Sequence, residues 1–338
     1  MTFVERLDNR LLSNPRADRV KDVAALTRRS TRSRRGLFRA EGPQNVREAV
    51  RLALATISRT APGQDAPGQG DPDRAPSGPD STAGGLPVLD AVYVTLEELS
   101  RHPEIAADLA ELDSRGGVFI RAVTPEVLGA MTDAVTPQGM LAVCRLPEGT
   151  TTPHAAFPDL TCVLVRVQDP GNAGTVVRAA DAAGAQSVAF TAGSVDPFNP
   201  KAVRSSAGSL FHVPVLTGVD LTSFTAAAHA AGVTVLAADG RADTSVDELA
   251  DAALLRHAGL ETPSSSAVRL EQPTAWLFGN EAQGLDEHER AQADAAVAVP
   301  LHGRAESLNV GTAATVCLYA SARAQRRGPV DVVSGDPA

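Results

Sequence analysis

Three short segments of this 338-residue chain carry side chains that could do chemistry. The first is Gln168-Asp169-Pro170-Gly171-Asn172-Ala173-Gly174, a turn entering a helical pattern that carries Arg178 six residues after Asn172. Asn172 has the character of an N-cap, and Gly171 and Gly174 let a backbone approach a ligand closely, so this turn could present a guanidinium to an anion. It reads equally well as a capped helix with a solvated arginine. The second, Leu277-Phe278-Gly279-Asn280-Glu281-Ala282-Gln283-Gly284-Leu285, is a strand end and a tight loop bounded by two glycines. Glu281 would stand at the carboxyl edge of a sheet, where open α/β folds bind ligands, or simply in an exposed turn. The third runs from Val299-Pro300-Leu301 through Glu306-Ser307-Leu308-Asn309-Val310 into a long helical pattern. Ser307 could be an N-cap, whereas Asn309 in a first helical turn has weak propensity and suggests that its amide is used. A dinucleotide fingerprint needs G-x-G-x-x-G and a phosphate loop needs G-K-S/T; neither is present.

The elements that must hold these segments follow from apolar periodicity. Strand patterns occupy 162–168, 187–191, 213–216, 233–237, 275–278 and 295–299, with helical patterns at 173–183, 200–207, 221–231, 285–293 and 307–326 between and after them. Near-continuous apolar strands alternating with helices predict a mostly parallel sheet covered on both faces, hence the α/β class. Residues 241–272 read as a short helix followed by a polar, mobile surface loop (TPSSSAVRLEQP). Upstream, helical patterns at 43–58, 103–112 and 125–131 and strands at 88–95, 117–123 and 140–146 predict a smaller α/β domain. Residues 60–85 hold five Pro and six Gly among 26 positions, which predicts a disordered insertion. The expected organisation is a basic extension over 1–36, a domain over 37–146, a linker over 147–158, a second domain over 159–327 and a disordered tail over 328–338.

Composition narrows the class further. Hydrophobic residues at 43% allow a large core, while the polar start and the lack of any run near the ~20 apolar residues of a membrane helix predict a soluble, cytoplasmic protein. Cys144, Cys162 and Cys317 each lie in apolar segments without His or Cys at ligand spacing, so reduced buried thiols are expected, with no disulfide framework and no metal. The formal charge of −9 argues against a nucleic-acid partner, but its distribution does not. Residues 1–50 hold 12 Lys and Arg against 6 Asp and Glu, and Arg28, Arg29, Arg32, Arg34, Arg35 and Arg39 fall in a stretch without an acid. Local field outweighs the total.

Together the three segments resemble the SpoU/TrmH branch of the SPOUT methyltransferases. Asn172 and Arg178 are similar to the first family motif, Phe278 to Leu285 to its F-G-x-E-x-x-G-L motif, and Val299-Pro300-Leu301 with Ser307 to Val310 to the third. The resemblance covers about 158–327; Thr136-Pro137-Gln138-Gly139 resembles the interdomain region, and the N-terminal domain more weakly resembles the ribosomal-protein-like RNA-binding domain of the family. It implies a C-terminal SPOUT domain with a parallel sheet and a deep trefoil knot, and methylation of an RNA ribose 2′-hydroxyl from S-adenosyl-L-methionine. Ribosomal RNA is the expected substrate, with tRNA and a non-catalytic RNA-binding role as alternatives. A nucleotide-dependent oxidoreductase is disfavoured by the missing glycine fingerprint.

Carried over by position, the resemblance implies cofactor contacts at Leu277, Gly279, Val299, Leu301 and Leu308, and catalytic roles for Asn172, Arg178, Glu281, Ser307 and Asn309. It also implies a homodimer in which Arg178 of one subunit approaches the cofactor of the other. An apolar stripe on the terminal helix (Val310, Ala313, Ala314, Cys317, Leu318) suits either that interface or packing inside the chain. A guanidinium seldom gives up its proton, so Arg178 is expected to bind a phosphate and stabilise a developing oxyanion. The arginines from Arg28 to Arg39 are the expected RNA-backbone contacts, extended by Lys201 and Arg204.

Overall fold

The computed structural model describes residues 2–60, 86–147, 159–260 and 268–327. The expected insertion at 60–85, the linker at 147–158 and the tail at 328–338 fall almost wholly outside the described residues. The chain forms two compact units, one from residues 1–149 with 198–214 and the other from 150–197 with 215–338.

In the first unit the elements are α1 (Phe3–Asp8), α2 (Asp18–Ala24), α3 (Arg29–Arg35), β1 (Leu37–Glu41), α4 (Pro43–Thr60), β2 (Val88–Val94), α5 (Leu96–Arg101), α6 (Pro103–Arg115), β3 (Phe119–Ala122), α7 (Pro125–Met131) and β4 (Met140–Arg145). The sheet order is β1-β4-β2-β3: β4 runs antiparallel to both neighbours, and β2 pairs parallel with the edge strand β3. Val20, Val23 and Leu26 join Tyr93, Val127, Met131 and Leu141 in one apolar cluster. Residues 2–36, the described part of the expected extension over 1–36, are therefore not an appended arm. Their short helices escape a periodicity reading because each is only six or seven residues long and gains its stability from packing.

The second unit contains β5 (Leu160–Leu164), α8 (Pro170–Ala183) and β6 (Ser187–Thr191); the chain then contributes α9 (Pro200–Ser206) to the first unit before returning. There follow β7 (Val215–Val219), α10 (Leu221–Ala230), β8 (Thr234–Ala238), α11 (Val246–His257), β9 (Thr274–Phe278), α12 (Glu287–Arg290), β10 (Ala295–Val297) and α13 (Val310–Gln325). All six strands run parallel in the order β10-β8-β9-β5-β6-β7, as the apolar runs predict. Its core includes Val163, Ala189, Phe224, Val235 and Leu277.

Three expectations change, and one open choice is decided. Residues 198–214, expected in the second domain, fold with the first unit because Phe198 and Phe211 approach Phe38 at ring separations of 4.9 and 6.4 Å and Arg204 pairs with Glu41. The helix expected over 285–293 is one turn, since Leu285 is buried in the core and Glu289, capped reciprocally by Asp286, turns inward. Of the expected mobile loop, 261–267 lie outside the described residues, but 268–273 are tied down by fully buried Leu270 and by Glu271, which pairs with Arg256 at 2.7 Å. On α13, Ala314, Cys317 and Leu318 are buried inside the chain, and Val316 and Tyr319 are its exposed large apolar residues. All three cysteines are free and buried; desolvation pushes the Cys317 thiol up to about 12 and raises the other two as well.

Candidate active site

Asp169 is the N-cap of α8 and accepts from Asn172 N–H at 2.9 Å, so Asn172 sits inside the first turn and not at the cap. That shift frees the Asn172 amide. Its Nδ2 donates to Glu281 Oε1 at 3.2 Å, and the backbone N–H groups of Asp169 and Gln168 donate to the two oxygens of the same carboxylate at 3.1 Å each. Asn309 Nδ2 donates to Asn172 Oδ1 at 2.9 Å, and Asn309 Oδ1 accepts from Gly311 N–H at 2.8 Å. Asn309, not Ser307, is the N-cap of α13. Glu281, Asn172 and Asn309, distant in sequence, are thus one hydrogen-bonded chain.

The direction of that chain is forced. An ionised carboxylate only accepts, so Asn172 must turn its NH2 toward Glu281 and its oxygen toward Asn309; Asn309 must then donate, leaving its own oxygen for the helix cap. Burial pushes the Glu281 carboxyl up, but its own N–H, those of Gln168 and Asp169 and the Asn172 amide outweigh this and hold it below the ordinary carboxylate range. A carboxylate so satisfied is a poor proton acceptor and a good brace.

The brace borders a cavity of about 520 Å3 at the carboxyl ends of β8, β9 and β10. Phe278, Val299, Leu301 and Leu308 give it apolar walls, Gly279 and Gly284 backbone, and Ser307, Asn309, Glu281 and Asp239 polar edges. The glycines are there for contact. A Cβ on Gly279 would lie 2.3 Å from the Gly284 carbonyl carbon, and Gly284 has φ 67°, a left-handed conformation that disfavours a side chain. Backbone bonds between Asn280 and Gly284 at 2.7 and 3.2 Å close this loop. Four of the five expected cofactor contacts line the cavity; Leu277 does not, its side chain being fully buried in the core. Arg178 lies on the exposed face of α8 and does not line the cavity of its own chain.

Sequence reasoning missed Arg166 and Asn280. Arg166 takes φ 55°, unusual for a residue with a side chain, and its turned carbonyl accepts from Asn280 Nδ2 at 2.9 Å and Gln168 Nε2 at 3.0 Å. Its N–H donates to Thr191 Oγ1 at 3.1 Å and its guanidinium grips both oxygens of Glu289. Arg166 therefore locks the first motif's turn to the second motif's loop. No spacing rule signals a residue whose role depends on its twisted backbone.

The expected RNA contacts divide. Arg32 is 2% exposed, and its Nη1 donates to the carbonyls of Leu26 and Thr27, which end the helical turn after α2. Arg39 is 1% exposed, donates to the Met131 carbonyl at the end of α7 at 2.6 Å and pairs with Asp133. Its Nε lies 2.9 Å from Glu41 Oε1 without the alignment of a hydrogen bond. Both are internal helix caps, which removes them from the expected set. Arg35 is held by Asp22 at 2.6 Å and Arg204 by Glu41 at 2.8 Å, whereas Arg28, Arg29 and Arg34 are exposed without a carboxylate partner among the described residues, and Lys201 is exposed. Among those residues no group of carboxylates, His and Cys could hold a metal, and no helix is long and apolar enough to cross a membrane.

Comparison with known proteins agrees with this architecture. The SpoU rRNA methylase family profile matches residues 159–319. The chain is 32% identical over 231 residues, 66% of this chain and 84% of the relative, to the 23S rRNA (guanosine(2553)-2'-O)-methyltransferase RlmP of Bacillus subtilis. It is 31% identical over 216 residues, 61% of this chain and 68% of the relative, to the 23S rRNA (uridine(2479)-2'-O)-methyltransferase of Streptomyces viridochromogenes. The crystal structure of the methyltransferase AviRb from Streptomyces viridochromogenes with AdoMet matches with TM-score 0.63 and 25% identity over 91% of this chain and 98% of that one. The AdoMet-bound rRNA methyltransferase of Sinorhizobium meliloti shares the fold with TM-score 0.67 at 24% identity, over 93% of this chain and 97% of that one. With its three motifs gathered around one cavity and a relative matched over most of its length, this chain belongs to the SpoU rRNA methylase family.

Proposed function

We propose that this protein transfers a methyl group from S-adenosylmethionine to a ribose 2′-hydroxyl of RNA, with 23S ribosomal RNA as the substrate class. The observation that carries this reading is the bonded chain Glu281–Asn172–Asn309 beside the 520 Å3 cavity, in a chain whose relatives are named for that reaction. The cavity fits the cofactor: apolar walls suit an adenine ring, and the close backbone of Gly279 and Gly284 leaves peptide groups to bind it. Gly279, Val299, Leu301 and Leu308 would hold the adenosine. When bound, the sulfonium supplies an electrophilic methyl carbon.

What the chain supplies is alignment and charge. The Glu281–Asn172–Asn309 brace fixes the turn from which α8 carries Arg178, and Ser307, which lines the cavity, orients the ribose. Arg178 binds the neighbouring phosphate and steadies negative charge on the 2′-oxygen as its proton passes to solvent water. Its exposed position on α8 supports a homodimer in which each Arg178 serves the partner's cavity. The central place of the late strand β9, between β5 and β8, supports the trefoil knot implied by the family resemblance. The first unit is the RNA-binding domain, reached through Arg28, Arg29 and Arg34 with help from Arg35, Lys201 and Arg204, and the cytoplasm is where ribosomal RNA is met.

Labelled S-adenosylmethionine incubated with total RNA, followed by mapping of 2′-O-methyl positions, tests the reading. Methyl incorporation at a discrete 23S position is expected; incorporation into tRNA alone, or none despite cofactor binding, would overturn it. R178A should lose at least ~10²-fold in turnover while calorimetry shows cofactor affinity within about twofold of wild type.

A further inference from the structure

We propose that Arg19, Phe119 and Arg121 form a binding site for one unpaired RNA nucleotide, with the Arg19 guanidinium as the plane on which its base stacks. Phe119 and Arg121 are two residues apart on the edge strand β3, so both project from the same face. Arg19, from α2, places its guanidinium carbon 3.6 Å from the centroid of the Phe119 ring, and Arg121 places its own 4.5 Å from the same ring. Arg19 is pinned a second time, since its Nε–H donates to Tyr93 Oη at 2.7 Å. An exposed arginine ordinarily loses rotamer freedom when it binds; this one has already lost much of it on folding, so its plane is presented ready made.

Charge argues the same way. In the first unit Arg6 pairs with Asp113, Arg35 with Asp22 and Arg145 with Asp90. Arg19 and Arg121 converge on one ring, and among the described residues neither has a carboxylate within ion-pair distance. Two unneutralised cations held together repel each other, and a phosphate relieves that repulsion. Beside Arg19 opens a cavity of about 160 Å3 with Leu37 and Ala91 on its apolar floor and Arg35, Asp22 and Asp90 on its walls, the two carboxylates being paired with Arg35 and Arg145. A base entering there stacks on the outer face of Arg19, extending the Phe119–Arg19 pair, while its phosphate meets Arg121. Duplex RNA has no free base face to offer, which is why the ligand is unpaired.

The proposal rests on the RNA reading above, and its test separates the two. The full chain is titrated with a labelled single-stranded RNA oligomer and with a duplex of equal length over a range of salt, alongside kcat and KM on a ribosomal RNA fragment. R19K keeps the charge and loses the plane; F119L keeps both charges and loses the supporting ring. Each should weaken single-strand binding five- to tenfold and raise KM similarly, with kcat, duplex affinity and the salt slope unchanged and only a small loss of Tm from the contacts removed on Phe119 and Tyr93. Unchanged single-strand affinity in both variants, or equal weakening of the duplex, overturns the proposal. A wild type that binds RNA but transfers no methyl group overturns the enzymatic reading and leaves the binding comparison to decide the site.

Discussion

Around the cavity of the second unit, polar side chains bond one another: Glu281, Asn172 and Asn309 have their partners fixed by the requirement that a carboxylate only accept. On α3 of the first unit and its N-cap the opposite holds, and Arg28, Arg29 and Arg34 face solvent with no carboxylate partner among the described residues. The same chain thus builds one surface with little freedom and another with much. Fixed groups suit a reaction that fails when atoms are misplaced by an ångström, and free cations suit a polyanion whose contour varies. Mutations in the first region should therefore act on kcat or cofactor affinity, and those in the second on KM.

The comparison breaks most visibly at Gly279. In G279A the new methyl group would meet the Gly284 backbone at 2.3 Å, so the loop must move and cofactor affinity should fall ~10²-fold or more by calorimetry. An unchanged affinity would show that the loop is not rigid.

E281Q comes next. The amide turns one acceptor into a donor facing N–H groups, and kcat should drop about 10- to 100-fold with KM changed little. The pH dependence has a definite sign. The Glu281 carboxyl is held below its unfolded range, so its contribution to stability is fully present above that range and is lost as pH falls through the folded value. The Tm gap between wild type and E281Q should be constant near neutrality and close on acidification below about pH 4. A gap that widens there would reverse the assignment.

Within the first unit, R39A sharpens the contrast between buried and exposed arginines. Removing Arg39 leaves Asp133 and the buried Glu41 without its charge and uncaps the Met131 carbonyl, so denaturant unfolding should show a loss of roughly 3 kcal/mol. RNA affinity of the folded fraction should not change. The triple variant R28Q/R29Q/R34Q should behave inversely, with stability within about 0.5 kcal/mol, KM raised several-fold and a salt slope shallower by up to ~3. A triple variant with unchanged slope would remove α3 from the RNA path.

Much of the second unit was legible because buried parallel strands are written as apolar runs, and β6 appears over 187–191 as expected. The three motifs were legible as well, since glycines flanking a carboxylate and a proline ending a strand are local signals. Their partnerships were not. Asn172 and Ser307 looked like caps and Asn309 like a first-turn residue, while Asp169 and Asn309 hold the caps, because which oxygen meets a free N–H depends on where the helix starts in three dimensions. The cluster Arg28 to Arg39 read as one basic stretch, yet Arg32 and Arg39 face inward to close the ends of two helical segments.

The sequence by itself determined the parallel α/β sheet, the positions of the chemical turns and the family, since these depend on neighbours within a dozen residues. Only the tertiary structure decided that Glu281, Asn172 and Asn309 share one proton-ordered chain, that Arg166 twists to clamp two loops, and that Arg19 lies on Phe119. The physical reason is reach. A hydrogen bond or a stacked ring is satisfied within about 3 to 4 Å in space, and residues separated by a hundred positions or more in the chain come within that distance only once the sheet is assembled.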